Sequence, residues 1–228
     1  MKRIIIGNLK MYMTYEEVLK YINEMDGVDV IICPSSIYVS LFLNNSYNVG
    51  IQDISMYDLG AHTGDISGVQ AKDMGVNYTL IGHSERRKYY QESDEIINKK
   101  VVKALECGLK VVLCIGDDLC DDREKKLEKQ LLDNFKGIVD FDNIIIVYEP
   151  VWCIGTGQTP SNDEIKTTVA FIKTKMSQWF DKNVKVLYGG SVDKGNIDTL
   201  LQVENVDGFL IGKASTDSKQ FKEIIRKL

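Results

Sequence analysis

Histidine, proline and paired cysteine are all scarce in this sequence. Of 228 residues only 2 are histidine and 3 are proline. His62 and His83 share no HxxH or HExxH spacing, so a dedicated transition-metal site has few ligands to draw on, and no metal is expected. The 5 cysteines, Cys33, Cys107, Cys114, Cys120 and Cys153, are odd in number, irregularly spaced and free of any CxxC. That removes the usual signs of a zinc ribbon, a redox pair or a disulfide framework, and they are read as reduced thiols, mostly of the core. Long apolar runs are missing too. Nothing approaches the roughly twenty residues of a membrane span, and the run after the basic start Met1-Lys2-Arg3 is only Ile4-Ile5-Ile6, where a signal peptide needs about seven to fifteen. A cytoplasmic protein is expected. Nor is there an excess of positive charge: 28 Lys and Arg against 33 Asp and Glu leave a net charge of −5, with no general attraction to nucleic acid or anionic membranes. Any anion must be captured by a local site.

What is present is an ordinary globular composition, 44% hydrophobic and 27% charged. At this length roughly 70% of the unfolded chain's surface can be buried, enough for a large core without disulfides or metals. Short apolar runs rich in Ile and Val alternate with longer amphipathic stretches. The runs are residues 3–7, 28–33, 49–52, 78–81, 111–115, 144–148, 184–188 and 208–211. Ile144-Ile145-Ile146-Val147 is apolar on consecutive residues, the pattern of a strand covered on both faces in a parallel sheet. Helical patterns are clearest at 95–106, 123–135 and 163–179, the last preceded by Ser161, with Glu164 placed to complete a capping box. No linker, composition break or repeat divides the chain, so residues 1–228 are read as one α/β domain. The alternation admits an open doubly wound sheet or a closed (β/α)8 barrel, and about 230 residues suits the barrel.

In both arrangements ligands bind at the C-terminal ends of the strands, so the polar residues just after each run are the candidates: Asn8 and Lys10, His83 and Ser84, Glu149, Gly189 to Ser191, and Gly212 with Lys213. Each has a plainer reading. A lysine two residues past a strand is usually surface charge, Asn8 beside Gly7 suits a turn, and His83 can be a helix N-terminal residue. Glu149 is harder to dismiss, because it follows five apolar or aromatic residues and precedes Pro150. The segment Pro150-Val151-Trp152-Cys153-Ile154-Gly155-Thr156-Gly157-Gln158-Thr159-Pro160 has stiff ends and a glycine-containing middle, the composition of a lid that closes over a ligand. It lacks the Lys-Ser/Thr pair of a nucleotide P-loop. The glycine turns at 189–190 and 212 allow close backbone approach to an anion.

Five motifs, in order along the whole chain, carry a resemblance. Gly7-Asn8-Leu9-Lys10-Met11, Ile81-Gly82-His83-Ser84-Glu85-Arg86-Arg87, Tyr148-Glu149-Pro150-Val151-Trp152 through Gly157, Tyr188-Gly189-Gly190-Ser191-Val192 and Asp207 to Gly212 resemble those of the triosephosphate isomerase family. The resemblance implies a single-domain (β/α)8 barrel that interconverts dihydroxyacetone phosphate and D-glyceraldehyde 3-phosphate through an enediol(ate), in glycolysis and gluconeogenesis, without a cofactor. It implies Glu149 as base, His83 as a neutral electrophile and proton shuttle, and a closing lid; these are the known roles of that family and are inherited from it. It further implies that Lys10 and Asn8 serve the same oxygen or the phosphate, that Glu85 orients Lys10, and that Gly155, Ser191, Gly212 and Lys213 bind the phosphate. The loop at 52–65, with Gly60-Ala61-His62-Thr63-Gly64-Asp65, is similar to one that inserts into a partner subunit in that family, which implies a homodimer with Thr63 near the partner's site.

This chain departs from the family pattern at four positions. Leu9 stands where Trp is common, Cys153 replaces an Ala, Gln158 a Lys, and Lys213 a second glycine after the last strand. Two other functions compete at lower weight. A glycoside hydrolase would use a carboxylate pair such as Glu85 and Glu149, but only Trp152 supplies an aromatic near the expected mouth. A non-catalytic scaffold would be expected to have lost one of Asn8, Lys10, His83 or Glu149.

Overall fold

The computed structural model describes residues 3–119, 122–156 and 158–228, so Met1, Lys2, Cys120, Asp121 and Gly157, the last in the expected lid, lie outside the described residues. In chain order the elements are β1 (Ile4–Asn8), α1 (Tyr15–Met25), β2 (Ile31–Cys33), α2 (Val39–Phe42), β3 (Asn48–Ile51), α3 (Gly68–Asp73), β4 (Tyr78–Ile81), α4 (Ser84–Tyr89), α5 (Asp94–Glu106), β5 (Lys110–Asp117), α6 (Arg123–Asn134), β6 (Ile144–Pro150), α7 (Asn162–Phe180), β7 (Lys185–Tyr188), α8 (Ile197–Leu200), β8 (Gly208–Ile211) and α9 (Ser218–Ile225). Adjacent strands pair in parallel, and β8 returns to β1 in the register Ile4↔Gly208 to Gly7↔Ile211, closing a (β/α)8 barrel. The open-sheet alternative is thereby removed.

Alternation along the strands explains the two cores. Ile6, Ile31, Cys33, Leu80, Val112, Cys114, Val147, Leu187 and Leu210 fill the barrel interior, while Val111, Leu113, Ile115, Ile144, Ile146 and Tyr148 face the helices. Both faces of each strand are therefore covered, as the unbroken Ile and Val runs required. The same period fixes the mouth. Two residues beyond the interior Ile6, Cys114 and Val147 come Asn8, Gly116 and Glu149, so one polar and one acidic side chain share the top of the barrel with a glycine.

The long α7 has its N-cap at Ser161, whose Oγ accepts from the Glu164 amide while the Glu164 side chain reaches back, and it ends on Asp181 in the left-handed region at φ +53°. Pairing in β2 begins at Ile31↔Asn48, later than the apolar run from residue 28 suggested. Gln52 leaves the β3 ladder and spends its side chain elsewhere, as shown below. Among the described residues no helix is long and apolar enough to cross a membrane.

Candidate active site

Glu149 is 2% exposed at the end of β6. Its strand is held close on both sides by residues without side chains: a Cβ built at Gly116 would lie 1.9 Å from the Glu149 carbonyl oxygen, and one at Gly189 would lie 3.2 Å from Glu149 Cγ and 2.5 Å from Val147 Cγ1. The carboxylate is asymmetric. Oε2 accepts a hydrogen bond from the Ser84 backbone N–H at 2.9 Å. Oε1 lies 3.1 Å from His83 Nε2, yet not in hydrogen-bond alignment, and is buried without a donor.

His83 is the N-cap of α4, and its Nδ1 accepts from the Glu85 backbone N–H at 3.2 Å. A nitrogen that accepts from an amide carries no proton, so the ring in this arrangement is the neutral tautomer with its hydrogen on Nε2, directed into the mouth. The reading of His83 as a helix-terminal residue and its reading as a site residue are thus one geometry.

Lys10 adopts φ +48°, a left-handed conformation that costs a non-glycine residue roughly 1–2 kcal/mol. Its surroundings hold it there. Asn8 Oδ1 accepts from the Lys10 N–H at 3.1 Å, and Gln52 Nε2 donates to the Lys10 carbonyl at 2.9 Å and to the Cys33 carbonyl at 3.0 Å. Lys10 Nζ meets Glu85 Oε1 at 2.8 Å. Gln52 was not among the candidates; being the polar residue that closes the third apolar run was its one available signal.

Asn8, Lys10, His83 and Glu149 share a cavity of about 630 Å³ with Gly155, Ser191, Gly212 and Lys213. All nine sequence-derived site residues except Glu85 therefore line one cavity, and Glu85 is bonded to Lys10 at its edge. Gly155 has φ +74° and is exposed on the lid. Lys213 begins a short 3-10 turn, Lys213–Thr216, with an ordinary φ and an exposed side chain, so the lysine fits the turn without left-handed strain. Leu9 is buried in the outer core.

The segment expected to act as a lid is anchored on both sides. Its first turn, Val151–Cys153, presents the Cys153 carbonyl, which accepts from Ser191 Oγ at 2.8 Å and Thr156 Oγ1 at 3.1 Å. Burial pushes the Cys153 thiol up to about 12, which keeps it protonated and unreactive. Trp152 Nε1 is buried without an acceptor. At the far end, Tyr148 donates to Asp117 Oδ1 at 2.9 Å, Arg123 Nε donates to Asp117 Oδ2 at 3.1 Å, and Arg123 Nη2 lies 3.7 Å from Glu164, the capping residue of α7. The strand that carries Glu149 is thereby tied to the helix into which the lid runs. These bridges join residues far apart in sequence and left no local signal.

The loop at 52–65 stands out from the barrel. Thr63 is exposed, and Tyr57 stacks on His62 with ring centroids 4.3 Å apart. Its foot is charged and buried: Asp53 Oδ2 accepts from Lys100 at 2.5 Å and Arg86 at 2.9 Å, while Glu92 Oε1 takes the same two donors at 2.7 and 2.6 Å. A second cavity, of about 470 Å³, borders Lys10, His83 and Glu85 and is flanked by Met11, Ile37, Tyr89 and Tyr90. Among the described residues no group of three or more His, Cys, Asp or Glu side chains converges as metal ligands would.

Comparison with known proteins places the whole chain. A family model described as triosephosphate isomerase matches residues 3–228. Curated relatives carrying that name include those of Geotalea uraniireducens, 36% identical over 99% of this chain and 98% of the relative; Alkaliphilus oremlandii, 36% identical over 98% of each; and Francisella philomiragia, 38% identical over 100% of this chain and 97% of the relative.

Proposed function

The chain belongs to the triosephosphate isomerase family and interconverts dihydroxyacetone phosphate and D-glyceraldehyde 3-phosphate, a step of glycolysis and gluconeogenesis, and from that premise we propose how its residues divide the work. Glu149 is the base. It removes a proton from the carbon beside the substrate carbonyl, leaving an enediol(ate), and returns it to the neighbouring carbon. Oε1 is the oxygen free to do so, since Oε2 is held by the Ser84 amide. His83 donates its Nε2 proton towards the substrate oxygens, and as a neutral donor it can take that proton back when the hydroxyl and carbonyl exchange places.

Lys10 places a positive charge over the same oxygens, or the phosphate, and Asn8 supplies a donor while shaping the Lys10 backbone. Glu85 orients Lys10. Gly155, Ser191, Gly212 and Lys213 hold the phosphate, the lid bringing the Gly155 amide to it and excluding water from the enediol(ate). The observation that carries this assignment is the buried, donor-free Glu149 Oε1 lying 3.1 Å from His83 Nε2. Residues 1–228 act as one cytoplasmic catalytic domain. Two chains form a homodimer through the loop containing Thr63, whose tip reaches the partner's second cavity beside Lys10.

The test is conversion of D-glyceraldehyde 3-phosphate by the purified protein, with Glu149→Gln alongside. The variant should lose about 100- to 10,000-fold in kcat, the scale of a lost general base, with folding retained. A folded variant of parental rate would remove Glu149 from the mechanism.

A further inference from the structure

Among the described residues, the cavity holds one charged side chain, Lys213, for which no ion pair or hydrogen bond is present. Lys10 is paired with Glu85 at 2.8 Å. Asp193 Oδ1 accepts from the Gly195 and Asn196 amides at 2.7 and 3.2 Å, and Asp217 Oδ1 from the Lys219 and Gln220 amides, both at 3.0 Å. Both acids on that wall are thus occupied, Asp193 in the turn before α8 and Asp217 as the N-cap of α9. Lys213 lines the same cavity, is exposed, and its ammonium has no ion pair or hydrogen bond among the described residues. It sits beside the first cation: a Cβ at Gly212 would be 3.8 Å from Lys10 Nζ, and Lys213 is the next residue, about 3.8 Å further from Cα to Cα. Lys213 and Lys10 thus line one cavity from adjoining backbone, and the flexible four-carbon stem lets the Lys213 ammonium turn towards an anion held there.

We propose that Lys213 is a second cation for the phosphate of the substrate, a side-chain contact added to the backbone contacts of the turn, which tunes this site towards doubly charged phosphate esters and makes it unusually sensitive to inorganic phosphate. Lys10 keeps its counter-ion and serves both the reacting oxygens and the anion, whereas Lys213 is free to be neutralised by the ligand alone. Because its side chain is solvated when the site is empty, the contact strengthens binding more than the chemical step, and it weakens as salt is added. The inference rests on the phosphosugar reading of the site.

The experiment compares Lys213→Gln, which keeps most of the stem and removes the charge, with Lys213→Arg, which restores the charge. Inorganic phosphate is titrated by calorimetry, and KM and kcat for D-glyceraldehyde 3-phosphate are measured at low and high ionic strength. The glutamine variant should weaken phosphate binding and raise KM by about 3- to 10-fold, the scale of one partly solvated charge pair, with a smaller change in kcat and a shallower salt dependence. The arginine variant should remain near the parent. Unchanged phosphate affinity in the glutamine variant, with the parent an active isomerase, overturns the role of Lys213 alone. A parent that binds phosphate but turns over no triose phosphate overturns the catalytic reading instead, while the calorimetric comparison still decides whether Lys213 holds the anion.

Discussion

Replacing Asp53 with asparagine is expected to stabilise the folded protein at neutral pH, although it removes a carboxylate that touches two cations. Burial raises the Asp53 carboxyl from its ordinary 3.8 to about 6, helped by Glu92 and opposed by Lys100 and Arg86. Asp53 Oδ1 and Glu92 Oε2 are both buried without a donor, so two carboxylates compete for the same two donors. Displacement of the carboxyl to about 6 corresponds to about 3 kcal/mol at about 1.4 kcal/mol per tenfold change. Asparagine recovers part of it, about 1–2 kcal/mol, because a neutral amide escapes the desolvation that burial imposes on the carboxylate, while Lys100 and Arg86 keep Glu92 as their counter-ion. In the window from about 4 to 6 the folded state holds a proton that the unfolded chain has released, so stability falls as pH rises through that window. The contribution is complete below 3.8 and gone above about 6. The advantage of the variant should therefore be absent near pH 4 and full at pH 7.5, where Tm should rise by roughly 2–8 °C, at 2–4 °C per kcal/mol for a protein of this size. Thermal unfolding of parent and variant from pH 4.5 to 8, at one protein concentration, reads the difference directly. A variant less stable than the parent at pH 7.5, or a difference that does not change with pH, would refute the reasoning and show that the ion pairs to Lys100 and Arg86 dominate.

Lys10→Met should raise KM and lower kcat together, since the proposed mechanism sets the ammonium against both the reacting oxygens and the anion; steady-state kinetics that match the parent would return Lys10 to the role of surface charge. For the proposed homodimer, the parent should sediment as a dimer at micromolar concentration and Thr63→Arg as a monomer, with activity falling in step. A fully active monomer would remove the dimer from the mechanism.

Much of this architecture is legible in the sequence because period and chemistry coincide. The consecutive apolar residues of β5 and β6 announce strands covered on both faces, and the same alternation that sends Val147 inward sends Glu149 to the mouth. Ser161 and Glu164 mark the start of α7 through purely local hydrogen bonds. The supports of the site are different in kind. The Ser84 amide reaches Glu149 only after β4 and β6 have been brought to the same mouth, and Gln52 meets the Lys10 carbonyl only when β1 and β3 flank β2. Asp117, Arg123 and Glu164 look like surface charges until closure stacks β5, α6 and α7. Lysine carries no preference for the left-handed region, so the backbone of Lys10 could not be read from its identity. It is imposed by Asn8 and Gln52.

The glycines at the mouth set the limits within which this catalyst can change. At positions 116 and 189 a single methyl group would collide with the strand bearing Glu149, at 1.9 Å and 2.5 Å respectively, so a lineage exploring new substrates has no room there, and these two residues without functional groups are as constrained as Glu149 itself. At position 212 the same methyl would meet the flexible end of Lys10 at 3.4 Å, an ordinary contact. The barrel therefore has a rigid wall behind Glu149 and a yielding one beside Lys10, and a redesign of substrate preference should begin at the second.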